Sequence, residues 1–251
     1  MKIDKTTPVW ITGGASGLGA ACVSMACEHG APVVVFDLSD DKNAARSDVT
    51  SINCDVSDAD AVSTAVAKAA EATGLPRVLI SCAGIAPAQR TVSRKGPHDP
   101  NLYRKVIEVN LLGSFYMASQ VAALMADAEA LEHGERGVII NTASVAAYDG
   151  QIGQCAYASS KAAIAGLTLP LARDLASLGI RVCAIAPGIF YTPMLAGMPQ
   201  DVQDSLAAQV PFPSRLGEPS EYANLASHIV DNQMLNGEVI RLDGAIRMGP
   251  R

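Results

Sequence analysis

Apolar residues cluster in short, nearly uninterrupted runs at residues 9–12, 33–37, 51–54, 78–81, 137–142, 181–186 and 238–242. Runs of this length, rich in Val and Ile, read as strands buried on both faces, as in a parallel sheet; a half-exposed antiparallel sheet would alternate. Between them, residues 17–29, 57–72, 102–130 and 157–178 carry Ala and Leu at helical spacing. Seven strands separated by helices predict a doubly wound α/β fold, a seven-stranded parallel sheet with helices on both faces. No repeat, low-complexity tract or Pro/Gly/Ser linker divides residues 1–251, so one domain is expected. Two stretches, 86–101 and 189–217, are long loops. Ligands of such sheets bind beyond the carboxyl ends of the strands, and the second loop is the candidate substrate lid.

Composition narrows the function classes. With 49% hydrophobic and 18% charged residues, the chain of 251 has ample material for a core and too little charge for disorder. A net charge of −6 argues against nucleic acid and anionic membrane as partners. No uninterrupted apolar run approaches the roughly 18 residues of a membrane span, and the polar start at residues 1–8 does not read as a cleaved targeting segment. Cysteines 22, 27, 54, 82, 155 and 183 form no CxxC pair and mostly sit among small apolar residues, which predicts reduced thiols and a cytoplasmic protein. His29, His98, His133 and His228 are scattered, so no metal site is expected.

Thr12-Gly13-Gly14-Ala15-Ser16-Gly17-Leu18-Gly19 joins the first strand to the first helix. Glycines there let the backbone approach a pyrophosphate at the positive end of a helix, as in a Rossmann fold, although a strand-to-helix glycine cluster is often only a tight turn. Asp37, closing the second strand 18 residues beyond Gly19, favours the first reading. Its carboxylate can accept from both ribose hydroxyls and would repel a 2′-phosphate. No Arg follows it and Ser16 stands where an Arg could have served a phosphate, so NAD is favoured over NADP. Asp55-Val56, after the third strand, suits an adenine edge, or a simple turn.

Tyr157 and Lys161 are four apart in a predicted helix, which sets phenol and ammonium on one face. Ser144, thirteen residues before Tyr157 and just past a strand, can meet the phenol across a cleft. Oxidising a secondary alcohol removes a hydroxyl proton as hydride leaves carbon, and a phenol with an ordinary pKa near 10 does so at neutral pH only if its pKa falls. A nearby ammonium favours phenolate, and a Ser hydroxyl can hold the substrate oxygen. Asn110, mid-helix in residues 102–130, reads on its own as a satisfied helical amide.

Together with Ser81-Cys82-Ala83-Gly84 and Pro187-Gly188, these residues resemble, in order and over nearly the whole chain, the short-chain dehydrogenase/reductase family. The resemblance implies that Tyr157 is the acid/base and Ser144 orients substrate. Lys161 would bind ribose and lower the Tyr157 pKa, and Asn110 would hold a relay water. It further implies that Ala83 and Gly84 pass the cofactor ribose, and that Ile189 and Thr192 contact the carboxamide. Ser81-Cys82 departs from the family's Asn-Asn, losing two amides that brace the central strand. Residues 137–147, Gln151, 210–217 and 235–248 resemble more closely the type II 3-hydroxyacyl-CoA dehydrogenases. That implies an acyl-CoA substrate, with Gln151 in the substrate site and Arg94 and Lys95 beside CoA, unless those two are merely solvated. The family also implies a homotetramer; Ala158, Ala162, Ala163, Ala165 and Gly166 would allow close helix approach, although such small residues equally suit helix-on-sheet packing. Competing readings are a dehydrogenase of a steroid or other secondary alcohol, and an NAD-binding scaffold without turnover, which the presence of Ser144, Tyr157 and Lys161 disfavours.

Overall fold

The computed structural model describes residues 1–39, 48–197 and 199–250, with Met194 described by its backbone only. The first half runs β1 (Val9–Thr12), α1 (Gly17–Glu28), β2 (Val33–Asp37), β3 (Val49–Asn53), α2 (Ala59–Thr73) and β4 (Val78–Ser81). A hairpin of β5 (Val92–Ser93) and β6 (Gly96–Pro97) follows, then α3 (Pro100–Ile107), α4 (Gly113–Ala126), β7 (Gly137–Thr142), α5 (Ala146–Asp149) and α6 (Cys155–Leu175). The chain ends with β8 (Ile180–Pro187), α7 (Pro193–Ala196), α8 (Gln200–Ala207), α9 (Pro219–Asp231) and β9 (Val239–Leu242).

All seven long strands are parallel, in the order β3-β2-β1-β4-β7-β8-β9. The direction of winding therefore reverses between β1 and β4, and the crevice opens there. Alternate side chains divide the core as the pleat requires. Ile11, Val35, Ile80 and Ile140 pack with Val23 and Ala26 of α1 and Tyr222 and Ile229 of α9. Trp10, Phe36, Leu79 and Ile139 pack on the other face with Val62 and Val66 of α2, Met117 and Val121 of α4 and Leu171 of α6. Burying a side chain of this size contributes about 1.5–3 kcal/mol, which is why the inner strands read as unbroken apolar runs.

The helix expected over residues 102–130 begins earlier, ends earlier and contains a wider turn. Asp99 caps it by accepting from Asn101 N–H at 2.8 Å, and Pro100 fits its first turn, where no N–H is needed. A π-helical turn, Glu108–Leu112, separates α3 from α4. The helix ends at Ala126 because the chain must turn back into β7, and Arg136 Nε ties the Ala128 carbonyl at 3.1 Å. By length and composition alone, the continuous helix Pro100–Asp127 could cross a bilayer. Its Met117, Ala118, Val121 and Met125 are buried against the sheet.

The expected lid, 189–217, holds α7 and α8, and residue 198 within it lies outside the described residues. Its two ends are clamped together, with Tyr191 N–H donating to the Gly217 carbonyl at 2.8 Å and Gly217 N–H to the Ile189 carbonyl at 2.9 Å. A long excursion with joined ends can pack as a unit over the crevice.

Candidate active site

The turn after β1 is built on glycine for two separate reasons. Gly13 and Gly17 have φ of +68° and +54°, a region that side chains with Cβ avoid. A Cβ on Gly13 would also lie 2.7 Å from Ala83 N, and one on Gly19 would run into the Gly13 carbonyl. The turn is thereby pressed against the segment after β4, where Ala83 N–H donates to Thr12 Oγ1 at 3.1 Å. Ser16 caps α1 without a side-chain bond, and no acidic residue occupies the first turn. The helix thus leaves its positive end facing the crevice uncompensated, a cradle suited to a phosphate.

Asp37 Oδ2 accepts from Ala15 N–H at 3.0 Å, while Oδ1 accepts from both Ser39 N–H and Ser39 Oγ at 3.2 Å. It braces the glycine turn and lines the crevice at once. Asp55 accepts from Ser57 Oγ at 2.6 Å and Ser57 N–H at 2.9 Å, and these bonds, with Lys105 at 3.6 Å, hold its carboxyl below the usual carboxylate range. Lys105 lines the crevice and was not singled out from the sequence, where nothing sets it apart from a surface lysine.

The crevice encloses about 600 Å³. Its walls include Gly13, Ser16, Gly17, Leu18, Gly19, Asp37, Asp55, Val56, Ala83, Gly84, Pro187, Gly188, Ile189 and Thr192, so all the expected nucleotide positions converge. At its other end stand Ser144, Tyr157 and Lys161, joined by Gln154, Phe190, Leu195 and Met248.

Ser144 Oγ accepts from Ala146 N–H at 3.1 Å and hydrogen-bonds Tyr157. Burial pushes the Tyr157 phenol above its ordinary pKa, and the Ser144 bond opposes that rise. Lys161 Nζ lies 5.9 Å from the centre of the Tyr157 ring and donates to the Thr142 carbonyl at 2.7 Å. Burial lowers its pKa to about 8. The ammonium is therefore beside the phenol, whose ionisation in this structure is governed by burial. A Cβ on Gly84 would approach Lys161 Nζ to 3.7 Å and Asn110 Oδ1 to 3.1 Å, so this glycine keeps the way to the lysine open.

Asn110 lies in the π-helical turn and behind the crevice wall. Its Oδ1 accepts from Ile85 N–H at 2.8 Å, and its Nδ2 donates to the Ile85 carbonyl at 2.9 Å and to Ser160 Oγ at 3.0 Å. It ties the segment after β4 to α6. Gln151 is not in the wall; its Nε2 donates to the Gly249 carbonyl at 3.2 Å, and Gln154 takes the place facing the crevice. Arg94 and Lys95 form the exposed turn between β5 and β6, outside the wall. At the departure Ser81-Cys82, the Ser81 hydroxyl and both ends of the Asn141 amide, its register partner, are buried without a hydrogen-bond partner among the described residues. Cys82 Sγ instead lies 3.7 Å from Thr142 Oγ1 and 3.9 Å from the Tyr222 hydroxyl.

The family described as short chain dehydrogenase matches residues 7–203. A Homo sapiens protein named 3-hydroxyacyl-CoA dehydrogenase type-2 is 51% identical over 96% of this chain and 95% of its own length. Its Drosophila melanogaster namesake is 48% identical over 96% and 97%. Ipsdienol dehydrogenase of Ips pini is 35% identical over 94% and 95%. The crystal structure of 3-hydroxyacyl-CoA dehydrogenase type-2 from Mycobacterium avium superimposes with a TM-score of 0.93, at 41% identity and 98% coverage of both chains.

Proposed function

This chain belongs to the short-chain dehydrogenase family, whose members typically use a nicotinamide cofactor, and from that premise we propose that it interconverts 3-hydroxyacyl-CoA and 3-ketoacyl-CoA with NAD. The observation that carries the reading is the meeting of Ser144, Tyr157 and Lys161 in one crevice with a helix N-terminus that has no side-chain cap bond. The acyl-CoA substrate rests on the names of the relatives at about half identity over nearly the full length.

A nicotinamide cofactor, when bound, would supply the hydride acceptor or donor. Ser144 Oγ holds the substrate oxygen, and Tyr157 takes its proton during oxidation and returns it during reduction. Lys161 stabilises the phenolate, and its effect grows when a second positive charge enters the crevice. Asn110, with both side-chain ends engaged, acts by positioning the Ile85 segment against α6.

NAD in preference to NADP follows from Asp37, whose carboxylate repels a 2′-phosphate. Asp37→Ala should weaken NADH binding, narrow the preference over NADPH, and lower the melting temperature because Ala15 N–H loses its acceptor. Equal kcat/KM for NADH and NADPH in the wild type would contradict the assignment.

The deciding experiment is a panel of CoA thioesters and free secondary alcohols with NAD. Thioesters should give the highest kcat/KM. Turnover of simple alcohols or steroids alone would replace the acyl-CoA reading. If Arg94 and Lys95 meet CoA phosphates, reversing both charges raises KM for acetoacetyl-CoA and reduces its dependence on ionic strength, while a small ketone shows neither effect. The subunits assemble as a homotetramer in this reading, and six cysteines that form no disulfide suit a cytoplasmic setting.

A further inference from the structure

After β9 the chain is held on both sides of one residue that lines the crevice. Upstream, Asp243 Oδ1 accepts from Ala245 N–H at 3.0 Å and the Asp243 carbonyl accepts from Ile246 N–H at 3.1 Å. Arg241, bound by Asp149 and Asp243 at 2.7 Å each, donates to the Ile246 carbonyl at 3.0 Å, and the Ile246 side chain is buried. Downstream, Gln151 Nε2 donates to the Gly249 carbonyl at 3.2 Å and Ile152 N–H to the Pro250 carbonyl at 3.0 Å. Between these anchors Met248 enters the crevice wall.

Asp149, Gln151 and Ile152 belong to the segment that leads from Ser144 to Tyr157. The tail is thus fastened to the segment that connects two reacting groups. Strand order fixes which end of the crevice it bounds. β2 and β3, which lead to Asp37 and Asp55, lie on one side of β1, whereas the tail leaves β9 at the opposite edge of the sheet. Met248 therefore stands at the substrate end, away from the nucleotide turn.

We propose that Met248 is a specificity-determining residue that bounds the substrate's alkyl chain, and that Gln151 is a positioning residue acting through the Gly249 carbonyl. An unbranched thioether gives an apolar wall that yields to alkyl groups of somewhat different shape. The proposal rests on the reading of the site as a dehydrogenase of 3-hydroxyacyl-CoA.

The test compares wild type, Met248→Ala, Met248→Phe and Gln151→Ala on straight-chain 3-ketoacyl-CoA thioesters of increasing length with NADH, and in parallel on simple ketones of increasing length. Met248→Ala should shift the ratio of kcat/KM for long over short chains upward by about tenfold, within the range that one or two methylenes command in an apolar pocket. Met248→Phe should shift it downward. Gln151→Ala should flatten the length preference, and the Kd for NADH should not move in any variant. A common factor at every chain length in both Met248 variants, or loss of NADH binding, would overturn the proposal. If the wild type turns over ketones but no thioester, the acyl-CoA reading fails while the ketone ratios still judge Met248.

Discussion

Tyr157 is buried enough that its phenol ionises with more difficulty than usual, so what the site adds must come from its neighbours. Tyr157→Phe keeps the ring and removes only the proton carrier. Turnover should fall by about 10²–10⁴, the range for lost acid/base catalysis, with NADH binding nearly intact; near wild-type activity would remove Tyr157 from its role. Lys161 makes a second, opposite prediction for stability. Its pKa is about 8 in the folded chain against the ordinary 10.5. Below about 8 both states hold the proton and the folded state bears the cost of a buried ammonium. Between the two values the unfolded chain binds more protons, so wild-type stability rises with pH, by at most about 1.4 kcal/mol per unit. Lys161→Met should therefore lose turnover yet compare best with wild type in stability near pH 7, and that comparison should worsen as pH rises through this window. A stability difference that stays constant from about pH 6 to 10 would show that the buried charge costs nothing.

The π-helical turn between α3 and α4 shows how an element can serve a site without touching substrate. A wider turn lets Asn110 aim its amide at the Ile85 backbone and Ser160, where a regular helix would carry the register on. Asn110→Leu removes three hydrogen bonds and leaves the Ile85 N–H and carbonyl to find other partners, at about 1–3 kcal/mol for each group left unpaired. The melting temperature should fall by several degrees, and kcat should fall more than KM rises, because the displaced segment carries Ala83 and Gly84. Unchanged kcat with lowered stability would make Asn110 a purely structural brace.

Across the whole molecule, α6 offers a stripe of exposed small residues, Ala162 and Gly166, ending at Leu169, 43% exposed. If subunits pack there, Gly166→Arg should shift the sedimenting species from tetramer to smaller forms while circular dichroism stays unchanged; wild type sedimenting as a monomer would dismiss the assembly. The sequence by itself determined the sheet, its strand count, the glycine turn and the Ser144, Tyr157 and Lys161 constellation. These are written in local code: β-branched runs, glycines where a Cβ cannot go, and an i, i+4 pair. Tertiary structure alone decided the rest, because each feature depends on groups far apart in the chain. It widened the expected helix into a π turn at Asn110, whose amide reaches Ile85, and set Lys105 beside Asp55. It also tied Gln151 to the tail, and brought Met248, far from Tyr157 in sequence, into the wall of the same crevice. Long-range hydrogen bonds and strand order leave no period in a sequence, so only the folded chain could reveal them.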